Sequence, residues 1–95
     1  MANIKVKNVP GTAGETPPYP YQDYSWLKYW EKKTGDTATF CARCGCLNLA
    51  KHGGHVQRCD NFFDSKIYIV PLCEECNNPN NKDVFEVDCK LCPVS

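Results

Sequence analysis

The sequence has no excess of either charge: eleven Lys and Arg residues face eleven Asp and Glu residues over 95 positions. A broad electrostatic grip on nucleic acid needs a basic face, so only a small local patch is expected, drawn from Lys5, Lys7, Lys28, Lys32, Lys33, Arg43 and Lys51. No apolar run approaches the ~20 residues that span a bilayer, so no membrane partner is expected. The opening MANIKVKNVPG lacks the apolar core of about 7–15 residues that marks a secretory signal. A cytoplasmic location follows as the expectation. In a reducing compartment, paired cysteines are metal ligands more often than disulfides.

Cysteine is what the chain has in abundance, with eight residues. A single domain of this size buries a modest core and needs a staple. Three Cys-x-x-Cys pairs stand out: Cys41/Cys44, Cys73/Cys76 and Cys89/Cys92, while Cys46 and Cys59 stand apart. Two residues between cysteines let one tight turn aim both sulfurs at one ion, and two such turns close a tetrahedral four-sulfur site, the usual form of structural Zn2+. The expected ligands are Cys41, Cys44, Cys73 and Cys76. Cys46 is the alternative for Cys41 or Cys44, because a Cys-x-Cys or Cys-x4-Cys bite also closes. Cys89 and Cys92 either join His52, His55 or Cys59 at a second metal or pack as small hydrophobes. A disulfide scaffold is the competing reading of all eight.

Along the chain, residues 1–24 hold Pro10, Pro17, Pro18 and Pro20 beside Gly11 and Gly14. Proline fixes φ and removes backbone donors. Residues 1–24 therefore read as an extended or disordered arm, and 25–95 as one zinc-binding domain. Ser25 caps a short helix in SWLKYWEKKTG, with Gly35 as its stop. Trp26, Tyr29, Trp30 and Lys33 fall at helical spacing, which suits core packing. Thr37–Phe40, Lys66–Val70 and Asp83–Val87 read as strands, and Gly53–Gln57 as a loop entering one. The CEECNN stretch has room for a short helix before Pro79. The fold class is α+β, a small zinc-stabilised treble clef with an N-terminal helix, a β-hairpin between the knuckles and a short helix after the second.

The pieces CARC at 41–44, GGHV at 53–56 and YIVPLCEECNN at 68–78 resemble the HNH (His-Me finger) endonucleases over about half the chain. The resemblance implies that His55 is the general base that activates water for attack on a phosphodiester. It implies that Asn77 helps hold a divalent cation, Mg2+ in the nuclease reading. The chain departs from the family pattern at two places. Tyr68 stands where a histidine-orienting Asn is found, and Gly54 where a cation-binding side chain is common. Only Asp60, Asp64 or Glu75 could compensate, so the catalytic site reads as degenerate.

Two functions are therefore carried forward. The first is a non-catalytic HNH-like zinc module that binds nucleic acid or a protein partner, expected as a monomer. The second is a divalent-metal-dependent endonuclease that uses His55 as general base. A redox Cys-x-x-Cys protein ranks last, because that motif belongs at the start of a helix in a βαβ unit.

Overall fold

The computed structural model describes residues 3–9, 16–59, 66–78 and 80–94. Its elements are β1 (Ile4–Asn8), α1 (Trp26–Thr34), β2 (His52–Arg58), β3 (Ile67–Leu72), β4 (Val84–Val87) and β5 (Cys92–Pro93). All five strands join one antiparallel sheet in the order β4-β1-β2-β3-β5. The α+β class holds. No helix among the described residues is long and apolar enough to cross a membrane.

Helix α1 begins and ends where its chemistry dictates. The Ser25 hydroxyl accepts the Lys28 N–H at 3.1 Å. Gly35 takes φ 77, the left-handed stop that avoids a Cβ clash, and its N–H donates to the Glu31 carbonyl. Lys32 and Lys33 occupy the last turn, where cations oppose the helix dipole. Tyr29 and Trp30 are the buried residues of the helix.

Strand alternation divides the sheet into two differently covered faces. Val6, Val56, Val70, Leu72, Phe85 and Val87 form one core with Cys41, Ala42, Cys73 and Cys76. Ile69 and Cys92 form the other core with Tyr29 and Trp30 of α1. The knuckles thus cover one face and the helix covers the other. Tyr21 packs edge-on against Tyr29 at 5.4 Å between centroids and extends the helix side.

Four expectations change. The helix is not N-terminal, because β1 precedes it, and β1 lies inside the sheet between β4 and β2. Residues 4–8 therefore belong to the folded domain rather than to an arm. Ile4 and Val6 alternate with Lys5 and Lys7, and Val6 is fully buried. Pro10, Gly11 and Gly14 lie outside the described residues. The second knuckle is followed by a turn over residues 74–77, not by a helix, so the treble-clef arrangement is not what the elements form. Thr37–Phe40 is not a regular strand; Phe40 alone bridges to Leu49.

Because Val6 is central, Val6→Ala should destabilise the domain by about 2 kcal/mol through lost burial and a residual cavity. Chemical denaturation would show a lower midpoint at an unchanged slope. A midpoint equal to the parent's would place β1 outside the cooperative unit.

Candidate metal centre

The sulfurs of Cys41, Cys46, Cys73 and Cys76 lie within 4.8 Å of one another. Four sulfurs bound at ~2.3 Å to a tetrahedral ion stand about 3.8 Å apart. Cys46 Sγ and Cys73 Sγ are 3.8 Å apart, so the cluster needs little adjustment to close on an ion. Cys41, Cys73 and Cys76 are buried and Cys46 is half-buried. Four soft thiols facing one another in a largely buried site could hold a metal ion, and four sulfur ligands would leave it no open position.

Backbone hydrogen bonds hold each sulfur in place. Cys41 N–H donates to the Asn48 carbonyl at 2.8 Å, and Ala42 N–H donates to the Pro71 carbonyl at 2.7 Å. These bonds tie the first loop to its own return arm and to β3. Cys46 N–H donates to the Arg43 carbonyl at 3.0 Å, closing the turn that Gly45 makes possible with φ 84. In the second knuckle, Cys76 N–H points at Cys73 Sγ, 3.4 Å away. Asn48 Nδ2 approaches the same sulfur at 3.7 Å. Asn8 reaches from β1 and donates from Nδ2 to the Cys76 carbonyl at 2.8 Å. Asn81 Nδ2 donates to that carbonyl at 3.1 Å. Asn8 fastens the second knuckle to β1, Asn48 links the first loop to the second knuckle, Asn81 braces the second knuckle from the loop that follows it, and nothing in their sequence context marks them out.

The quartet differs from the spacing-based expectation at one position: Cys46 takes part and Cys44 does not. Cys44 is exposed, and its N–H donates to the Glu86 carbonyl at 2.8 Å. Its neighbour Arg43 bridges to Val87. These two contacts bind residues 43–44 to β4, and the left-handed Gly45 then returns the chain inward at Cys46. The bite is Cys-x4-Cys.

The thiols are not electrostatically equal. Burial would raise the Cys73 thiol, but the hydrogen bond from Cys76 N–H and side-chain contacts from Cys76, Asn48 and Cys41 outweigh it and bring it down to about 7. Burial raises the Cys41 thiol, and burial with the neighbouring Cys73 and Cys41 raises Cys76 strongly. Metal binding must displace protons from the raised thiols, so protons compete with the ion. Affinity should therefore fall as pH falls, by at least about a hundredfold between pH 7 and pH 6 if two or more protons are released. Competition against a chromophoric chelator at the two pH values would measure it. An affinity independent of pH would exclude the thiols as ligands.

Cys89 and Cys92 do not assemble a second centre among the described residues. Cys92 is buried in the helix-side core beside Tyr29, whose hydroxyl donates to the Pro93 carbonyl at 3.1 Å. Cys89 is half-buried between the two cores, and burial followed by the charge of Asp88 pushes its thiol up to about 12. His52 and Cys59 are exposed.

The residues assigned by the HNH resemblance are not brought together. His55 is 8 % exposed, and its ring stands edge-on to Trp26 at 4.6 Å between centroids. It pairs with Ile69 on the helix side of the sheet. Asn77 lies on the knuckle side, where its Oδ1 sits 2.9 Å from where a Cβ on Gly54 would be. Gly54 and His55 are consecutive in β2, so their outward directions are opposite. Tyr68 pairs with Val56, again on the knuckle side. Glu75 is exposed beside the second knuckle. Asp60 and Asp64 lie outside the described residues. No family model, curated protein or solved structure matches the chain.

Proposed function

We propose that the chain is a zinc-stabilised, non-catalytic module that acts by binding a macromolecular partner. The observation that carries this reading is the closed cluster of Cys41, Cys46, Cys73 and Cys76. All four candidate ligands are thiols, and three of them are buried, so a bound ion has no vacant position for water or substrate. Zinc is the ion that four thiolates in a tetrahedron suit best under reducing conditions. Its role is to join the loop that enters β2 to the loop that leaves β3, side by side at the open end of the hairpin where His52 pairs with Leu72.

The HNH-like nuclease is the weaker reading. A general base must reach water and the cation together. His55 is buried against Trp26, and Asn77 is on the opposite side of the strand. A protein partner is favoured over nucleic acid. The knuckle surface exposes Phe40, Leu47 and Leu49, and the depression beside Leu49 sets Glu74 and Glu75 against the single cation Lys51, a balance that disfavours phosphate.

Elemental analysis of the purified chain under reducing conditions tests the metal, with one zinc per chain expected. Plasmid incubation with Mg2+ tests catalysis, with no nicking expected above a His55→Ala control. Nicking abolished by His55→Ala would reinstate the enzyme, and a metal-free folded chain would remove the zinc.

A further inference from the structure

The quartet is not sealed equally at its four sulfurs. Cys41, Cys73 and Cys76 are 5, 3 and 6 % exposed, whereas Cys46 is only half-buried. Cys46 also lines a groove of about 460 Å3 that it shares with the exposed Cys44. An oxidant arriving from solvent therefore meets one ligand sulfur before the other three. Cysteine oxidation follows thiolate character and access, and a metal-bound sulfur is already deprotonated.

The same sulfur has a partner within reach. Cys46 Sγ is 3.8 Å from Cys73 Sγ, and the two residues belong to different loops, one ahead of β2 and one after β3. A disulfide holds its sulfurs about 2 Å apart, so a closure of about 2 Å joins them. The first loop can make that movement, because a Cβ on Gly45 would meet nothing within 4 Å. Cys73 Sγ is held in place by Cys76 N–H at 3.4 Å and Asn48 Nδ2 at 3.7 Å. Cys44 does not compete for it, since it lies outside the quartet with its N–H fixed on the Glu86 carbonyl of β4.

Resting on the zinc reading above, we propose that Cys46 is an oxidation site, and that a Cys46–Cys73 disulfide takes the place of the ion when the chain meets a peroxide. The Cys46 thiolate attacks one peroxide oxygen, the O–O bond breaks, and hydroxide leaves and takes a proton from solvent. The Cys73 thiolate then attacks the Cys46 sulfenic sulfur, the S–O bond breaks, and a second hydroxide leaves as water. The two sulfurs lose two electrons and the peroxide gains them. Cys41 and Cys76 alone hold zinc weakly, so the ion departs with its charge unchanged. The disulfide ties the two loops that the ion tied, and so constrains the chain across the β2–β3 hairpin. Oxidation thus differs from chelation, which removes the link together with the ion.

Hydrogen peroxide added to the zinc-loaded chain, beside a chromophoric zinc indicator too weak to strip the reduced protein, reads this directly. Release of one zinc per chain is expected, with a Cys46–Cys73 disulfide mapped by mass spectrometry after alkylation. The near-ultraviolet circular dichroism of the oxidised chain should stay closer to that of the loaded chain than to that of the chelated, reduced chain. A thiol reductant with added zinc should restore the loaded state. Cys44→Ser, which keeps the quartet, should release zinc at the parent's rate. Zinc retained under peroxide, a disulfide that leaves out Cys46 or Cys73, or release that depends on Cys44 would overturn the proposal. An oxidised chain with the spectrum of the chelated one would overturn the disulfide as the ion's replacement. A chain without zinc before peroxide is added would overturn the metal reading as well, whereas a loaded chain that resists peroxide would overturn this proposal alone.

Discussion

Cys46→Ser should abolish stable metal binding and unfold the domain, whereas Cys44→Ser should leave both nearly untouched. The contrast follows from the turn geometry. Cys46 is in the quartet, 3.8 Å from Cys73, while Cys44 faces solvent from a backbone anchored on Glu86. A structural four-thiolate zinc contributes about 10–16 kcal/mol of apparent binding free energy. A domain of ordinary stability has only about 5–15 kcal/mol in total, so the chain without its ion is expected to be largely unfolded. Serine is a poor substitute for a thiolate, and three remaining sulfurs hold the ion weakly. Zinc stoichiometry and near-ultraviolet circular dichroism would report both properties on the same samples. Cys44→Ser should retain one zinc and change stability by no more than about 0.5 kcal/mol, as exposed substitutions do. The opposite pattern, with metal lost in Cys44→Ser and kept in Cys46→Ser, would make the Cys-x-x-Cys bite the true one. A strong chelator added to the parent chain should reproduce the Cys46→Ser spectrum.

The same residues show what the sequence can and cannot disclose. SWLKYWEKKTG announces α1 because its cap, stop and apolar spacing are all local. The Lys66–Val70 run announces β3 for a similar reason, and the strand continues through Pro71, whose carbonyl accepts the Ala42 N–H. β1 was legible in part: Ile4-Lys5-Val6-Lys7 alternates, but Pro10 and Gly11 close behind it favour an arm. Its partners Val56–Arg58 and Val84–Val87 lie some 50 to 80 residues away, and no local signal names them. The second knuckle shows a related limit. One helical bond forms, Asn77 N–H to the Cys73 carbonyl at 3.0 Å, but a single turn pays the nucleation cost without propagation. For the metal, Cys41, Cys73 and Cys76 follow from spacing. The choice between Cys44 and Cys46 rests on Gly45 and on Glu86, which lies in a different strand. His55 and Asn77 are the reverse case. Their motif context is suggestive, but the alternation of β2 turns His55 away from the Gly54 side of the sheet, where Asn77 lies.

The second large effect concerns the contact that seats the helix. Gly53→Ala should destabilise the domain by about 2–4 kcal/mol, which for a chain of this size is a fall in Tm of roughly 10–25 °C. A Cβ at Gly53 would stand 2.5 Å from the Trp26 carbonyl carbon and 2.6 Å from the Leu27 nitrogen. Both are backbone atoms at the start of α1, so no rotamer change can relieve the overlap. The helix must lift from β2, and the edge-on contact between Trp26 and His55 at 4.6 Å must loosen with it. Gly54 offers an internal comparison. Its added Cβ would meet the side chains of Leu72 and Asn77, which can adjust, so Gly54→Ala should be milder. The two variants should also differ in their effect on the metal. Gly53 faces the helix and Gly54 faces the knuckles, so Gly53→Ala should lower Tm while keeping one zinc per chain. Gly54→Ala should raise the rate at which a chelator removes the ion. Differential scanning calorimetry with and without chelator would separate the two. An unchanged Tm in Gly53→Ala would mean that the helix does not approach β2 this closely in solution. The burial of His55, and with it the case against catalysis, would then have to be reopened.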